Sequence, residues 1–194
     1  MLTNVENRLP YLKPEDMNEE QKKFYDYNVE KFGKMPYICF LENGELNGPS
    51  NAFIHDLEIA ELLLPANRAI CGQTRIPKSL QEIVILVTVT SAKAAYGTYA
   101  HVKLAEGVGV DPKKIRTITA GLKPNDLTEE ESAAYDFAYS LSQAGPCSGP
   151  VFDTAMECFG KDGVSIIVYL VGMFKLIGTM LNAYNECVPE YRGK

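Results

Sequence analysis

From about residue 18 onward the apolar positions fall at intervals of three and four, the spacing of helices rather than strands. Asn18 offers an N-cap with Gln21 three residues on, Phe24, Tyr25, Tyr27 and Phe32 follow on roughly one side, and Gly33 supplies a stop. Ahead of this first helix, residues 1–17 are polar and contain Pro10 and Pro14, which predicts an extended N-terminal arm that gains order by lying on something else. Behind it, Pro36, Asn43-Gly44 and Asn47-Gly48-Pro49 break any period across residues 34–50. Tyr37, Ile38, Phe40 and Leu41 are nonetheless too apolar to sit in solvent, so a packed loop is expected.

Residues 51–71 carry Phe53, Ile54, Leu57, Ala60, Leu63 and Leu64 at helical spacing, with an end or a bend expected near Pro65. Pro77 opens the next segment, through Leu80, Ile83, Val84 and Val87. Its β-branched run, residues 83–89, would suit a buried strand, but the i, i+3, i+4, i+7 spacing favours a helix. Residues 92–106 form a second, alanine-rich segment closed by Gly107 and Gly109. Asp111-Pro112 starts a short helix, Thr128 and Glu131 form a capping box for another, and residues 151–159 make a further one ending at Gly160. Asp162 can cap the last and most apolar helix, residues 163–184.

That last segment is long enough to raise a membrane span, but Lys175 falls near its centre and no flanking charge asymmetry supports one. A central core helix is the reading, with Gly172 and Gly178 permitting close approach of a neighbour, in part from another subunit. The fold class is therefore all-α, a single-domain helical bundle over residues 1–194 with residues 1–17 as its arm.

Composition narrows the function classes. Net charge is −6, and the 19 Lys and Arg are scattered, which argues against nucleic acid or an anionic membrane as partner. Five cysteines at wide, unequal spacings include no Cys-x-x-Cys, so they read as reduced packing thiols and not as a disulfide framework or zinc site. The first residues lack the apolar core of a secretory signal, and the expected location is cytoplasmic.

The candidate chemistry lies between Leu80 and Gly109. Glu82 and His101, on successive apolar segments and 19 residues apart, are a carboxylate and an imidazole suited to acid–base work. On a helix, Ala94, Gly97, Thr98, His101, Leu104 and Ala105 share a face. The small residues one and two turns before His101 either let another helix pack closely or leave a volume where a ligand can sit. Tyr96 and Tyr99 flank this face and could donate to a developing oxyanion, against the plainer reading of core tyrosines with satisfied hydroxyls. His55, at the start of its helix, is either a ligand-binding group or a solvated cap. A metal site built from His55, His101 and Glu82 is permitted by ligand type, but no metal-binding spacing supports it.

These residues resemble the carboxymuconolactone decarboxylase and alkylhydroperoxidase D-like superfamily. Its redox-active members place a glutamate, a Cys-x-x-Cys and a histidine at the interval seen here between Glu82 and His101; the two cysteine positions are Ala94 and Gly97 in this chain. Many non-redox members carry Tyr-Glu where this chain has Tyr96-Gly97, so the tyrosine matches and the acid is missing. Gly48-Pro-Ser-Asn-Ala-Phe-Ile-His55, Leu181-Asn-Ala-Tyr184 and Val188-Pro189 extend the similarity over residues 46–189.

The resemblance implies an all-helical subunit in a homo-oligomer (a trimer or hexamer, with a dimer as the smaller option) and a site near a subunit interface. With no thiol at 94 or 97 the peroxidase branch is not expected. What remains is a cofactor-free lyase or isomerase acting on a small carboxylated or lactone metabolite, with Glu82, His101 and Tyr96 as the catalytic set. Tyr99, His55, Gly97, Ala94 and Thr98 would contact substrate, and decarboxylation leads isomerisation, dehydration or cyclisation. The alternative is a ligand-binding or assembly protein that has lost catalysis, because the usual acid is absent at Gly97.

Overall fold

A computed structural model describes residues 7–189. Eight α-helices follow in order among these residues, and no strand is formed beyond a single bridge between Phe40 and Leu46. Helix α1 (Glu19–Phe32) has the capping box in full, with Asn18 and Gln21 each satisfying the other's backbone N–H. The arm before it makes one 3-10 turn, Pro14–Asp16, and buries Met17. It lies across the end of the last helix, where the Arg8 N–H donates to the Tyr184 carbonyl at 2.8 Å. Residues 1–6 of the expected arm fall outside the described residues.

The expected single helix over residues 51–71 is two: α2 (Pro49–Phe53) and α3 (Leu57–Cys71). The break is local chemistry, because the Asp56 side chain caps a fresh start by accepting from the Ile59 N–H. Nor does α3 end at Pro65, which is solvent-exposed and leaves only one carbonyl, that of Glu61, without its helical donor.

Helices α4 (Lys78–Ser91) and α5 (Ala95–Gly107) form a hairpin, joined by a turn in which Lys93 takes a positive φ of 55°. The β-branched run is helical because α4 is the central element, packed against α5, α6 (Pro112–Thr119), α7 (Glu129–Ser142) and α8 (Gly149–Tyr184). Ile83, Val84 and Leu86 are completely buried. At these positions tertiary burial, not helix propensity, stabilises the backbone. Asp111 and Thr128 cap α6 and α7 as their sequences require.

Helix α8 joins the two expected C-terminal helices across a kink at Gly160, whose φ of 60° and ψ of −178° are not helical. Its length and apolarity would suffice to cross a membrane, but Ile167, Leu170, Val171 and Phe174 are spent on the core of this fold. Gly178 permits the expected close approach: a Cβ there would lie 3.3 Å from Ala92 Cβ and 3.4 Å from Ala94 Cβ. Gly172 faces outward and meets nothing within 4 Å.

Candidate active site

The turn at Ala92–Ala94 fixes the geometry of the site. Glu82 lies ten residues before Ala92 and His101 seven after Ala94, about 15 Å and about 10 Å along the two helices of the hairpin, close enough in height for their side chains to meet. His101 Nδ1 and Glu82 Oε2 are 2.8 Å apart, and both side chains are largely buried, at 13% and 14% exposed. The edge-to-face contact of Phe174 with the imidazole, centroids 4.7 Å apart, fixes the ring plane. With Nδ1 engaged, Nε2 is the nitrogen available for proton transfer.

The pair forms part of the wall of a cavity of about 240 Å³. Gly97 and Leu104 of α5 and Ile85 and Val89 of α4 line it, with Phe174 and Ile177 of α8. The small residues of α5 therefore serve both of the readings open from sequence. Gly97 opens the volume beside the imidazole, whereas Ala94, fully buried, packs against Gly178 and does not reach the cavity.

Several assigned residues have other positions or other bonds. Tyr96 lines the cavity with its ring, but its O–H donates to the Ile38 carbonyl at 2.8 Å, and a hydroxyl has one proton to give. Tyr99 accepts from the Ile38 N–H at 3.3 Å, and neither Tyr99 nor Thr98 lines the cavity. The two tyrosines thus clamp residue 38 of the loop instead of presenting hydroxyls to a ligand. His55 is exposed, with Nε2 2.8 Å from the Pro10 carbonyl, so it anchors the arm and stands outside the cavity. Among the described residues no group of three His, Cys, Asp or Glu side chains is placed to hold a metal ion.

The structure adds residues that sequence reasoning passed over. Tyr37, Cys39 and Asn47 come from the packed loop, and Cys71 and Lys78 from the junction of α3 and α4. Burial pushes the Tyr37 phenol well above the ordinary tyrosine range, reinforced by Cys39 and Glu82 nearby, so it keeps its proton. The same desolvation pushes the Cys71 thiol up to about 11, the Glu82 carboxylate adding to the effect and Lys78 opposing it. Cys39 is likewise pushed up to about 11 by burial. Two of the supposed packing thiols therefore face the cavity, held in the protonated, weakly nucleophilic form. The one signal available in the sequence was the run Tyr37–Leu41, too apolar for a solvated loop.

A wider, more open groove of about 580 Å³ lies between α1 and α3; it holds no histidine and no acid–base pair.

The chain, helical throughout its described residues and with a glutamate–histidine pair facing a small cavity between its central helices, has the AhpD-like fold, and solved structures show the likeness directly. An alkylhydroperoxidase AhpD core protein, an uncharacterized peroxidase-related protein from Ralstonia eutropha JMP134, aligns over 94% of this chain and 92% of its own, with a TM-score of 0.76 and 14% identity. The debrominase Bmp8, as a cysteine-to-alanine variant in complex with 2,3,4-tribromopyrrole, aligns over 95% and 93%, with a TM-score of 0.71 and 15% identity. A protein of unknown function from Agrobacterium tumefaciens, ATU0492, covers 72% of this chain and 96% of its own, with a TM-score of 0.65 and 13% identity. No protein-family model matches the sequence, and no curated protein matches it.

Proposed function

We propose that the chain is a cofactor-free acid–base enzyme acting on a small molecule held in the Glu82–His101 cavity. The observation that carries this reading is the 2.8 Å contact between Glu82 Oε2 and His101 Nδ1 at the wall of a partly open, largely apolar volume. His101 Nε2 takes or delivers the proton, and Glu82 holds the ring in position and balances the charge of the imidazolium when it forms. Tyr37, kept protonated by its burial and bonded only to the weakly accepting Cys39 sulfur, is the cavity-lining hydroxyl best suited to turn to a developing oxyanion, a role that the stronger bond to the Ile38 carbonyl denies Tyr96.

This machinery serves a lyase or an isomerase: a decarboxylation, an isomerisation, a dehydration or a cyclisation each needs one proton moved beside a carbonyl or ring. That the fold hosts chemistry on a small ring is supported by the likeness to a debrominase crystallised with a bromopyrrole. The test is mass-resolved product analysis of wild type and His101→Ala with β-keto acids, lactones and enolisable ring compounds. Loss of carbon dioxide marks a decarboxylase, and an unchanged mass at a shifted retention time marks an isomerase or cyclase. No His101-dependent conversion across the panel would leave a ligand-binding protein, the reading favoured by glycine at position 97.

Self-association belongs to the same proposal. Val168, Tyr169 and Leu176, exposed by 42, 57 and 43%, lie with the outward-facing Gly172 along one side of α8, an apolar stripe suited to a second copy. Light scattering should give a multiple of the 21.5 kDa chain mass for wild type and a smaller particle for Tyr169→Glu. A monomeric wild type would end this part of the reading.

A further inference from the structure

Three lining residues of the Glu82–His101 cavity are basic or acidic: Lys78, Glu82 and His101. The imidazole and the Glu82 carboxylate are matched to each other at 2.8 Å. Lys78 has no such partner. Among the described residues it joins no ion pair, and its ammonium donates to the Cys71 carbonyl, the Gln73 carbonyl at 3.1 Å and Gln81 Oε1 at 3.2 Å, all of them neutral. These bonds close the C-terminal end of α3, the ordinary structural role of a lysine at that place, and they hold Nζ in position. They leave its charge without a counter-ion.

The two charges of α4 stand at different depths. Lys78 and Glu82 are four residues apart, about one turn and about 6 Å along the helix. Lys78 is exposed and Glu82 is only 14% exposed, so the cation stands at the mouth and the carboxylate further in. Both fields reach the cavity wall at Cys71, where Glu82 raises the thiol pKa and Lys78 lowers it. Around them the wall is apolar, with Ile85, Val89, Leu104, Phe174 and Ile177. A ligand here meets attraction for one negative charge at the mouth, repulsion for a second beside Glu82, and an apolar interior for its body.

We propose that the cavity takes a small monocarboxylate with an apolar body, its acid group held at the mouth by Lys78 and its body directed inward toward His101. Because Lys78 is exposed, one bridging water suffices for the contact, and the carboxylate keeps part of its hydration instead of bearing the full cost of burial. At about 240 Å³ the volume is below the range of drug-sized pockets, about 300–1,000 Å³, which keeps the ligand small. The inference rests on the acid–base reading for the choice of cavity, but it concerns affinity and not turnover. Within the metabolites considered above, it selects acids with a single carboxylate over lactones, and it excludes diacids.

Equilibrium dialysis of the full chain, near neutral pH and at low ionic strength, against 2-naphthoate, its neutral isostere 2-naphthamide and 2,6-naphthalenedicarboxylate tests it. 2-Naphthoate should bind most tightly, and each of the other two about fivefold more weakly, the upper end for an ion pair in contact with water. The preference over the amide should shrink to within about twofold in Lys78→Met, and also in wild type at about 0.5 M salt. Lys78→Arg, which keeps the charge, should retain it. Should Lys78→Met not fold, the salt dependence and Lys78→Arg decide. An amide or a diacid binding as tightly as naphthoate, a preference that survives Lys78→Met or salt, or no binding of any probe overturns the inference. Lys78-dependent naphthoate binding in a protein that converts nothing removes the enzyme reading and leaves this one standing. His101-dependent turnover in a protein that binds naphthoate and naphthamide equally does the reverse.

Discussion

The two histidines should be fixed in opposite neutral tautomers, and this can be measured without knowing a substrate. A carboxylate accepts hydrogen bonds and cannot donate, so the 2.8 Å contact with Glu82 Oε2 places the proton of neutral His101 on Nδ1 and leaves Nε2 as a base. A carbonyl also only accepts, so the 2.8 Å contact with the Pro10 carbonyl places the proton of His55 on Nε2. A hydrogen bond to a charged partner is worth about 1.5–3 kcal/mol, which biases His101 by about ten- to a hundredfold. His55 is exposed and its partner is neutral, worth about 0.5–1.5 kcal/mol, so its bias is only a few-fold.

Long-range proton–nitrogen correlation spectra, recorded at a pH high enough that the ring signals no longer titrate, separate the tautomers directly. With two histidines in the chain, a single His55→Ala spectrum completes the assignment. In Glu82→Gln the acceptor becomes neutral, and the His101 preference should fall to a few-fold with both forms visible. Wild-type His101 protonated on Nε2, or a preference unmoved by Glu82→Gln, would refute the positioning role given to Glu82.

Gly48→Ala should cost at least about 3 kcal/mol. Its φ of 64° is hostile to a Cβ, and that atom would meet Tyr96 Cε1 at 2.1 Å, breaking the Tyr96 bond to Ile38. Thermal melting should fall by at least about 6 °C, and a shift under about 2 °C would contradict the clamp. Glu186 is a buried carboxyl whose pKa is raised by desolvation, against opposing hydrogen bonds from Asn51, Asn7 and the Gly48 backbone. A raised folded-state value means that the native state holds the proton more tightly than the unfolded one. This contribution is therefore present at low pH and lost as pH rises through the folded pKa. The stability advantage of Glu186→Gln over wild type should shrink as pH is lowered from neutrality into the carboxylate range, and a growing advantage in denaturant titrations would be the wrong sign. Alkylation of Cys39 and Cys71, mapped by mass spectrometry, should accelerate about tenfold per pH unit up to about 11. A plateau below about pH 9 would show that burial does not hold these thiols protonated.

The sequence by itself determined what is local. Caps at Asn18, Asp111 and Thr128 start their helices because a side-chain oxygen meets a backbone N–H two or three residues on. The 19-residue interval from Glu82 to His101 was readable as a pair because a helical hairpin with its turn at Ala92–Ala94 returns the chain to a height where the two side chains meet. Periodicity carried that much since it needs only neighbours one or two turns away. Tertiary structure alone decided the rest. It set Tyr96 and Tyr99 to clamping the loop, took His55 to the arm, and brought Tyr37, Asn47 and Cys71 to the cavity. Those three come from a loop and a helix end that no shared period relates to α4 and α5. They meet only because α8 and the central α4 must bury their apolar surface, and the loop fills the space that remains.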